Sequence, residues 1–148
     1  MLTDPDGDSV RLSDLRGRIV LLHFWGSWCA PCQVEFPELQ ALYDALKDDR
    51  RIAFVLVQVR EDIARSRRWA EQRGFAMPFH DSGARSPADG VLAMPGGRGI
   101  EDRILAPQFP GTYVLDKNGL VLFSHFGPLH SWNAYGALFR HAATHAPE

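Results

Sequence analysis

The chemistry in this sequence starts with Cys29 and Cys32, the two cysteines of a 148-residue chain, held in Trp28-Cys29-Ala30-Pro31-Cys32. Two cysteines this close cannot staple a fold, which takes widely separated partners. Nor can they alone complete a four-ligand structural zinc site. The pair reads as reactive. Thiolate is the attacking species in disulfide exchange, and it forms most readily at a helix N-terminus, where free backbone N–H groups and the helix dipole favour an anion.

The surrounding elements must supply that helix start. Ile19 to Trp25 is a continuous apolar run with β-branched and aromatic residues, bounded by Gly17 and Gly26, and predicts a buried central strand. A helix is expected from Cys29 or Ala30 to about Asp48, with Phe36, Leu39, Leu42, Tyr43 and Leu46 forming one apolar stripe. Pro37 falls inside it and is expected to kink it. Cys29 then sits at the helix N-terminus and Cys32 one turn deeper, placed to resolve a mixed disulfide.

The rest of the chain supplies the sheet. Asp4-Pro5-Asp6-Gly7-Asp8 is a turn signal before the alternating Val10-Arg11-Leu12, a short N-terminal hairpin or edge element. Ile52 to Val59 predicts a second buried strand, and Glu61 to Arg73 a crossover helix ended by Gly74. Residues 80–108 are rich in Gly and Pro and read as a long loop. Tyr113 to Leu115 and Leu120 to Phe126 form a hairpin around Asn118-Gly119. A last helix, Ser131 to Ala143, turns Trp132, Tyr135, Leu138 and Phe139 inward. The expected architecture is a single α/β domain over residues 1–148, a central mixed β-sheet flanked by helices.

Net charge is −2 and the pI about 6.3, so no one-signed field exists to drive binding to nucleic acid or an anionic membrane. Arg outnumbers Lys fourteen to two. The densest cluster, Arg65, Arg67 and Arg68, lies beside Glu61, Asp62 and Glu71 and reads as a solvated salt-bridge face. No stretch is long enough to span a bilayer, and no leader pattern opens the chain, so any membrane tether is expected outside it.

The motifs resemble the thioredoxin superfamily, and within it the TlpA/ResA-like branch. The matching stretches are Leu12-Ser13-Asp14-Leu15-Arg16-Gly17-Arg18, Phe24-Trp25-Gly26-Ser27-Trp28-Cys29-Ala30-Pro31-Cys32, Glu35-Phe36-Pro37-Glu38-Leu39 and Phe109-Pro110-Gly111-Thr112-Tyr113-Val114-Leu115-Asp116-Lys117-Asn118-Gly119. The resemblance implies a thioredoxin-like fold with 80–108 as an insertion before a cis-proline, Pro110. That proline would pack beside the cysteine pair, present the backbone of Phe109 to an extended substrate and keep metal from the sulfurs. It further implies that Glu35, one turn after Cys32, tunes the pair's protonation, that Trp28 shields it and that Pro31 shapes the turn.

The implied activity is thiol–disulfide exchange, reducing protein disulfides in cytochrome c assembly or copper-site maturation. The expected partners are a protein disulfide substrate and an upstream reductant protein. No cofactor or metal is expected beyond the redox-active Cys29–Cys32 pair, and the default state is a monomer. The implied location is periplasmic or otherwise extracytoplasmic, with the cytoplasm as the alternative.

The sequence also departs from the thioredoxin pattern. Where thioredoxins proper carry a buried Asp, this chain has His23, read as a satisfied core histidine. The segment 80–108 exceeds what simple members carry and is expected to border the active-site face and contribute to partner selection. His141 and His145, four apart, read as an exposed face, while His125 and His130 flank Gly127-Pro128 within possible reach of the site. Three rival readings remain. A peroxiredoxin-like peroxidase would want a Pro and a Thr shortly before its cysteine, where Trp25 and Gly26 stand. A copper-handling protein would add a histidine to the two sulfurs. A non-catalytic binding module would not need Cys29.

Overall fold

The chain begins with a two-stranded antiparallel ladder, Leu2–Thr3 (β1) against Ser9–Val10 (β2), closed by the Asp4–Asp8 turn. In this computed structural model, residues 1–94 and 97–144 are described. The Asp4 carboxylate accepts the N–H groups of Asp6 and Asp8, the Asx-type bonding that makes Asp a turn former. Leu12 does not continue the strand alternation. Leu12–Leu15 is a 3-10 turn, held at its start by the Asp14 carboxylate accepting the Arg11 N–H at 2.9 Å.

Ile19–Trp25 (β3) is buried at every position, as expected of a strand covered on both faces. It pairs in parallel with Ile52–Gln58 (β4) and antiparallel with Gly111–Leu115 (β8). Phe79–His80 (β5) extends the β4 edge and Val121–Phe126 (β9) the β8 edge, giving a five-stranded mixed sheet in the order β5-β4-β3-β8-β9. Between β5 and β8 lies the insertion. It is not all loop: Val91–Ala93 (β6) pairs antiparallel with Gly99–Glu101 (β7), followed by one helical turn, Asp102–Leu105 (α3). Within the ladder, Leu92 faces Ile100 and is buried.

Two right-handed strand–helix–strand connections would place helices against the sheet. Ala30–Leu46 (α1) follows β3 and Ile63–Gln72 (α2) follows β4. Phe36, Leu39, Leu42 and Leu46 of α1 are buried as the stripe predicted, and Pro37 lies inside the helix, where it withholds one backbone donor. Trp25 is the hub of the core on this side, with Phe36, Phe79 and Trp69 ring centroids 4.6, 5.3 and 5.7 Å away. Such aromatic pairs add about 0.5–1.5 kcal/mol each beyond area burial.

The C-terminal helix starts later than predicted. Trp132–Ala134 is a 3-10 turn, and Tyr135–Thr144 (α4) is the helix proper. Trp132 and Phe139 are buried and Tyr135 partly so, but Leu138 is 45% exposed and does not face the core. The 3-10 turn rotates the helical phase, so a stripe counted from Trp132 misplaces Leu138. No helix among the described residues is long and apolar enough to cross a membrane.

Candidate active site

Strand β3 ends at Trp25 and the chain crosses Gly26-Ser27-Trp28 before α1 begins. Gly26 is required here because a methyl group on it would overlap the Trp28 indole. Trp28 lies across that glycine, donates its indole N–H to the Val59 carbonyl at 2.9 Å, and remains 44% exposed. Ser27 is tied from three directions. Its N–H and hydroxyl both reach the Glu61 carboxylate, at 3.0 and 2.6 Å, and its carbonyl accepts from Gln33 Nε2 at 2.6 Å. Glu61 is itself buried and also accepts the Ser66 hydroxyl.

Cys29 is the N-cap of α1 and Pro31 lies in its first turn, where a missing N–H costs nothing. Cys29 and Cys32 are joined as a disulfide. The Cys32 N–H donates to Cys29 Sγ at 3.3 Å, so a first-turn N–H of the helix already points at the sulfur that would carry negative charge. The Phe109 carbonyl lies 3.7 Å from Cys29 Sγ, across which a reduced thiol could donate. The Phe109–Pro110 peptide bond is cis. The Phe109 ring meets the Trp28 indole edge to face at 5.9 Å.

Trp28, Cys29, Pro31, Cys32, Phe109 and Pro110 therefore converge on one surface. Glu35 differs. It is buried at 2% exposure, one turn beyond Cys32, and its carboxylate is engaged by residues of β3 and of the C-terminal segment. It accepts the Leu129 N–H at 3.0 Å and the Trp132 indole N–H at 3.3 Å, and its other oxygen lies 2.8 Å from His23 Nε2. His23 Nδ1 meets Thr112 Oγ1 at 2.9 Å, a contact set by the β3–β8 register that places His23 opposite Thr112. His23 is thus a core histidine satisfied at Nδ1 only: its Nε2 and the facing Glu35 oxygen lie close together but make no well-aligned hydrogen bond.

The sequence model of the AhpC/TSA family matches residues 1–124. The chain belongs to that family. Two curated relatives of this AhpC/TSA chain are the thiol-disulfide oxidoreductases ResA of Geobacillus kaustophilus and Geobacillus thermodenitrificans, 34% and 33% identical over 121 residues. The match covers 82% of this chain and 62% of each relative, so the chain spans less than two thirds of their length. Among solved structures, StoA from Bacillus subtilis superposes with a TM-score of 0.66 at 19% identity, covering 93% of this chain and 92% of that one. A secreted thiol-disulfide isomerase from Corynebacterium glutamicum gives 0.69 at 22% identity, covering 94% of this chain and 78% of that one. These likenesses show the thioredoxin-like fold, and the ResA matches bear out the resemblance to the ResA-like branch.

Sequence reasoning misplaced one group in this AhpC/TSA-family site. Glu61 and Asp62 do not pair with Arg65, Arg67 or Arg68: Glu61 clamps Ser27, and Asp62 caps α2 by accepting the Ala64 N–H at 2.8 Å. The signal available was the capping position before α2, which Asp62 fills. Nothing local marked Glu61 as buried. Arg60, just before it, was also missed. It takes a positive φ of 58° and pairs through two hydrogen bonds, 2.8 and 2.9 Å, with Asp102 of the insertion. His125 stacks on Phe123, and His130 is exposed. His145 lies outside the described residues. Among those described, no cluster of three or more His, Cys, Asp or Glu side chains is placed to hold a metal ion, as the copper reading required.

Proposed function

We propose that this chain is a thiol–disulfide oxidoreductase that reduces protein disulfides through Cys29 and Cys32. The observation that carries the reading is the Cys29–Cys32 pair at the start of α1, with Cys29 at the N-cap, where the helix end favours a thiolate. In the reduced protein, Cys29 thiolate attacks a substrate disulfide, forming a mixed disulfide and releasing one substrate thiolate, which takes up a proton. Cys32, losing its proton, attacks Cys29 Sγ and expels the second substrate thiolate. The substrate gains two electrons and two protons, and Cys29–Cys32 is left oxidised. An upstream dithiol protein returns the pair to its reduced state.

Each neighbouring residue takes a role in that scheme. Trp28 and Phe109 wall the attacked sulfur, and the backbone of Phe109 beside Pro110 offers an edge to an extended substrate. Glu35, backed by His23, serves as the proton acceptor for Cys32 from one turn behind it. On the strength of the ResA-like resemblance we place the work outside the cytoplasm, on cysteine pairs destined for cytochrome c or copper sites, with the chain acting as a monomer. The peroxidase reading finds little support in the residues before Cys29, since Trp25 is committed to the core and Gly26 to the Trp28 indole.

The test is trapping. Cys32→Ser is expected to accumulate a mixed disulfide with a disulfide-bearing peptide through Cys29, and Cys29→Ser to form none. A redox titration followed by tryptophan fluorescence is expected to give a potential between about −270 and −200 mV. A value near about −120 mV would make the protein a disulfide donor and overturn the reductive assignment.

A further inference from the structure

Beside Trp28 a recess of about 730 Å³ opens between the start of α2 and the insertion, and five arginines line it: Arg60, Arg65, Arg68, Arg85 and Arg103. A chain of net charge −2 has gathered more than a third of its fourteen arginines at one place bordering its cysteine pair. The two walls come from distant segments and are tied together. The Arg60 guanidinium grips the Asp102 carboxylate through two hydrogen bonds and packs on Gly90, whose carbonyl accepts the Asp102 N–H at 2.8 Å.

The charges sort into spent and unspent. Arg60 is neutralised by Asp102. The recess also contains Glu61 and Asp62, but Glu61 is engaged by Ser27 and Ser66, and Asp62 caps α2. Arg65, Arg68 and Arg85 are exposed and have no carboxylate within ion-pair distance among the described residues. Arg103 lies 5.8 Å over the ring of Phe109, the residue whose backbone carbonyl is 3.7 Å from Cys29 Sγ. Guanidinium groups with free forks are suited to carboxylates, which they bind in bidentate fashion.

We infer that this arginine-lined recess docks an acidic segment flanking the cysteine pair of the substrate, so that α2 and the insertion together select disulfides by the carboxylates beside them. The inference rests on the oxidoreductase reading above and adds its substrate class. Charge complementarity would act mainly on encounter, raising the rate of productive approach to Cys29 and weakening with salt.

The experiment uses the reduced protein in single turnover with three peptides that share one intramolecular disulfide and differ in flanks: acidic, neutral and basic. At low ionic strength the acidic peptide is expected to react about tenfold faster than the neutral one, with the preference lost near about 0.5 M salt. Arg65→Glu with Arg68→Glu and Arg85→Glu is expected to bring the acidic-to-neutral ratio to one or below. Arg18→Glu, an equal change of sign per site at the opposite end of β3, is expected to keep the preference. Equal wild-type rates for acidic and neutral peptides at low salt, or a preference that survives in the triple variant, would overturn the inference alone. The salt dependence of the wild type decides the matter even if the triple variant fails to fold. Failure to exchange with any of the three peptides would overturn the oxidoreductase reading and this inference with it.

Discussion

Replacing Glu35 separates what its carboxylate does for the fold from what it does for Cys32. Glu35→Ala leaves the Leu129 N–H and the Trp132 indole N–H without their acceptor and removes the carboxylate beside His23 Nε2, all in a buried setting. Each buried polar group left unsatisfied costs about 1–3 kcal/mol, and water entering the vacated space recovers part of that, so the loss is about 3–5 kcal/mol. Glu35→Gln keeps the shape. Its carbonyl still accepts from Leu129 and Trp132, and its amide can donate to His23 Nε2 while Nδ1–H turns to Thr112 Oγ1. That rearrangement holds the loss to about 1 kcal/mol. The glutamine cannot take a proton, however, so resolution of the Cys29 mixed disulfide by Cys32 is expected to slow by about 10²-fold. Urea melts give the stabilities, and stopped-flow tryptophan fluorescence gives the resolution rate. Equal destabilisation by the two substitutions would refute the hydrogen-bond accounting. Wild-type resolution by Glu35→Gln at every pH would refute the proton role and leave Glu35 a structural residue.

Two further substitutions test the frame around the site. Arg60→Ala strands the Asp102 carboxylate, which is 1% exposed against 29% for the arginine, so the expected loss is about 2 kcal/mol, between a surface and a fully buried pair because one member meets solvent. Hydrogen exchange of the Val91–Ala93 amides is expected to speed up, and Asp102→Ala in the same chain to be less than additive; full additivity would dissolve the proposed tie. His80 is held below its ordinary value of 6.5, first by burial, with the Pro78 carbonyl and Asp4 opposing. Its folded form therefore binds fewer protons than the unfolded chain just below 6.5, so stability is present above that value and declines as pH falls toward the lower folded value. His80→Gln is expected to flatten that slope in denaturant melts between about pH 5 and 7.5, and an unchanged slope would assign it to other groups.

What the sequence made legible was local. The Cys29–Cys32 pair, the β3 run, the α1 stripe and the Asn118-Gly119 hairpin each rest on a pattern within one element, where periodicity and turn chemistry decide the outcome. What it hid depends on register and burial. His23 and Thr112 are 89 positions apart and meet only because β3 and β8 pair as they do. Glu35 and Trp132 are 97 apart. Glu61 was misread for a different reason: a glutamate beside three arginines has the composition of a solvated face, and only Ser27, brought over by the β3–β4 pairing, turns it inward. The β6–β7 ladder was hidden because its strands are three residues each and sit among the glycines and prolines that mark loops.

These hidden contacts divide the site into a fixed half and a selecting half. The fixed half is the Gly26–Trp28 crossing, bound to the β4–α2 connection through Val59 and Glu61 and to α1 through Gln33. Exchange needs the attacking sulfur aligned with two others, and a loop anchored at three points keeps Cys29 in place while its bonding partner changes. The selecting half is the recess between α2 and the insertion, the insertion being joined to the frame by Arg60 and Asp102. Because the Arg60 anchor and the Glu61 clamp are consecutive residues, any shift of the insertion large enough to move Arg60 would pull on the segment that holds Ser27. Substrate docking on the arginines and the placement of Cys29 are thus linked through two adjacent residues, and Arg60→Ala should lower the acidic-peptide preference and loosen the insertion in the same variant.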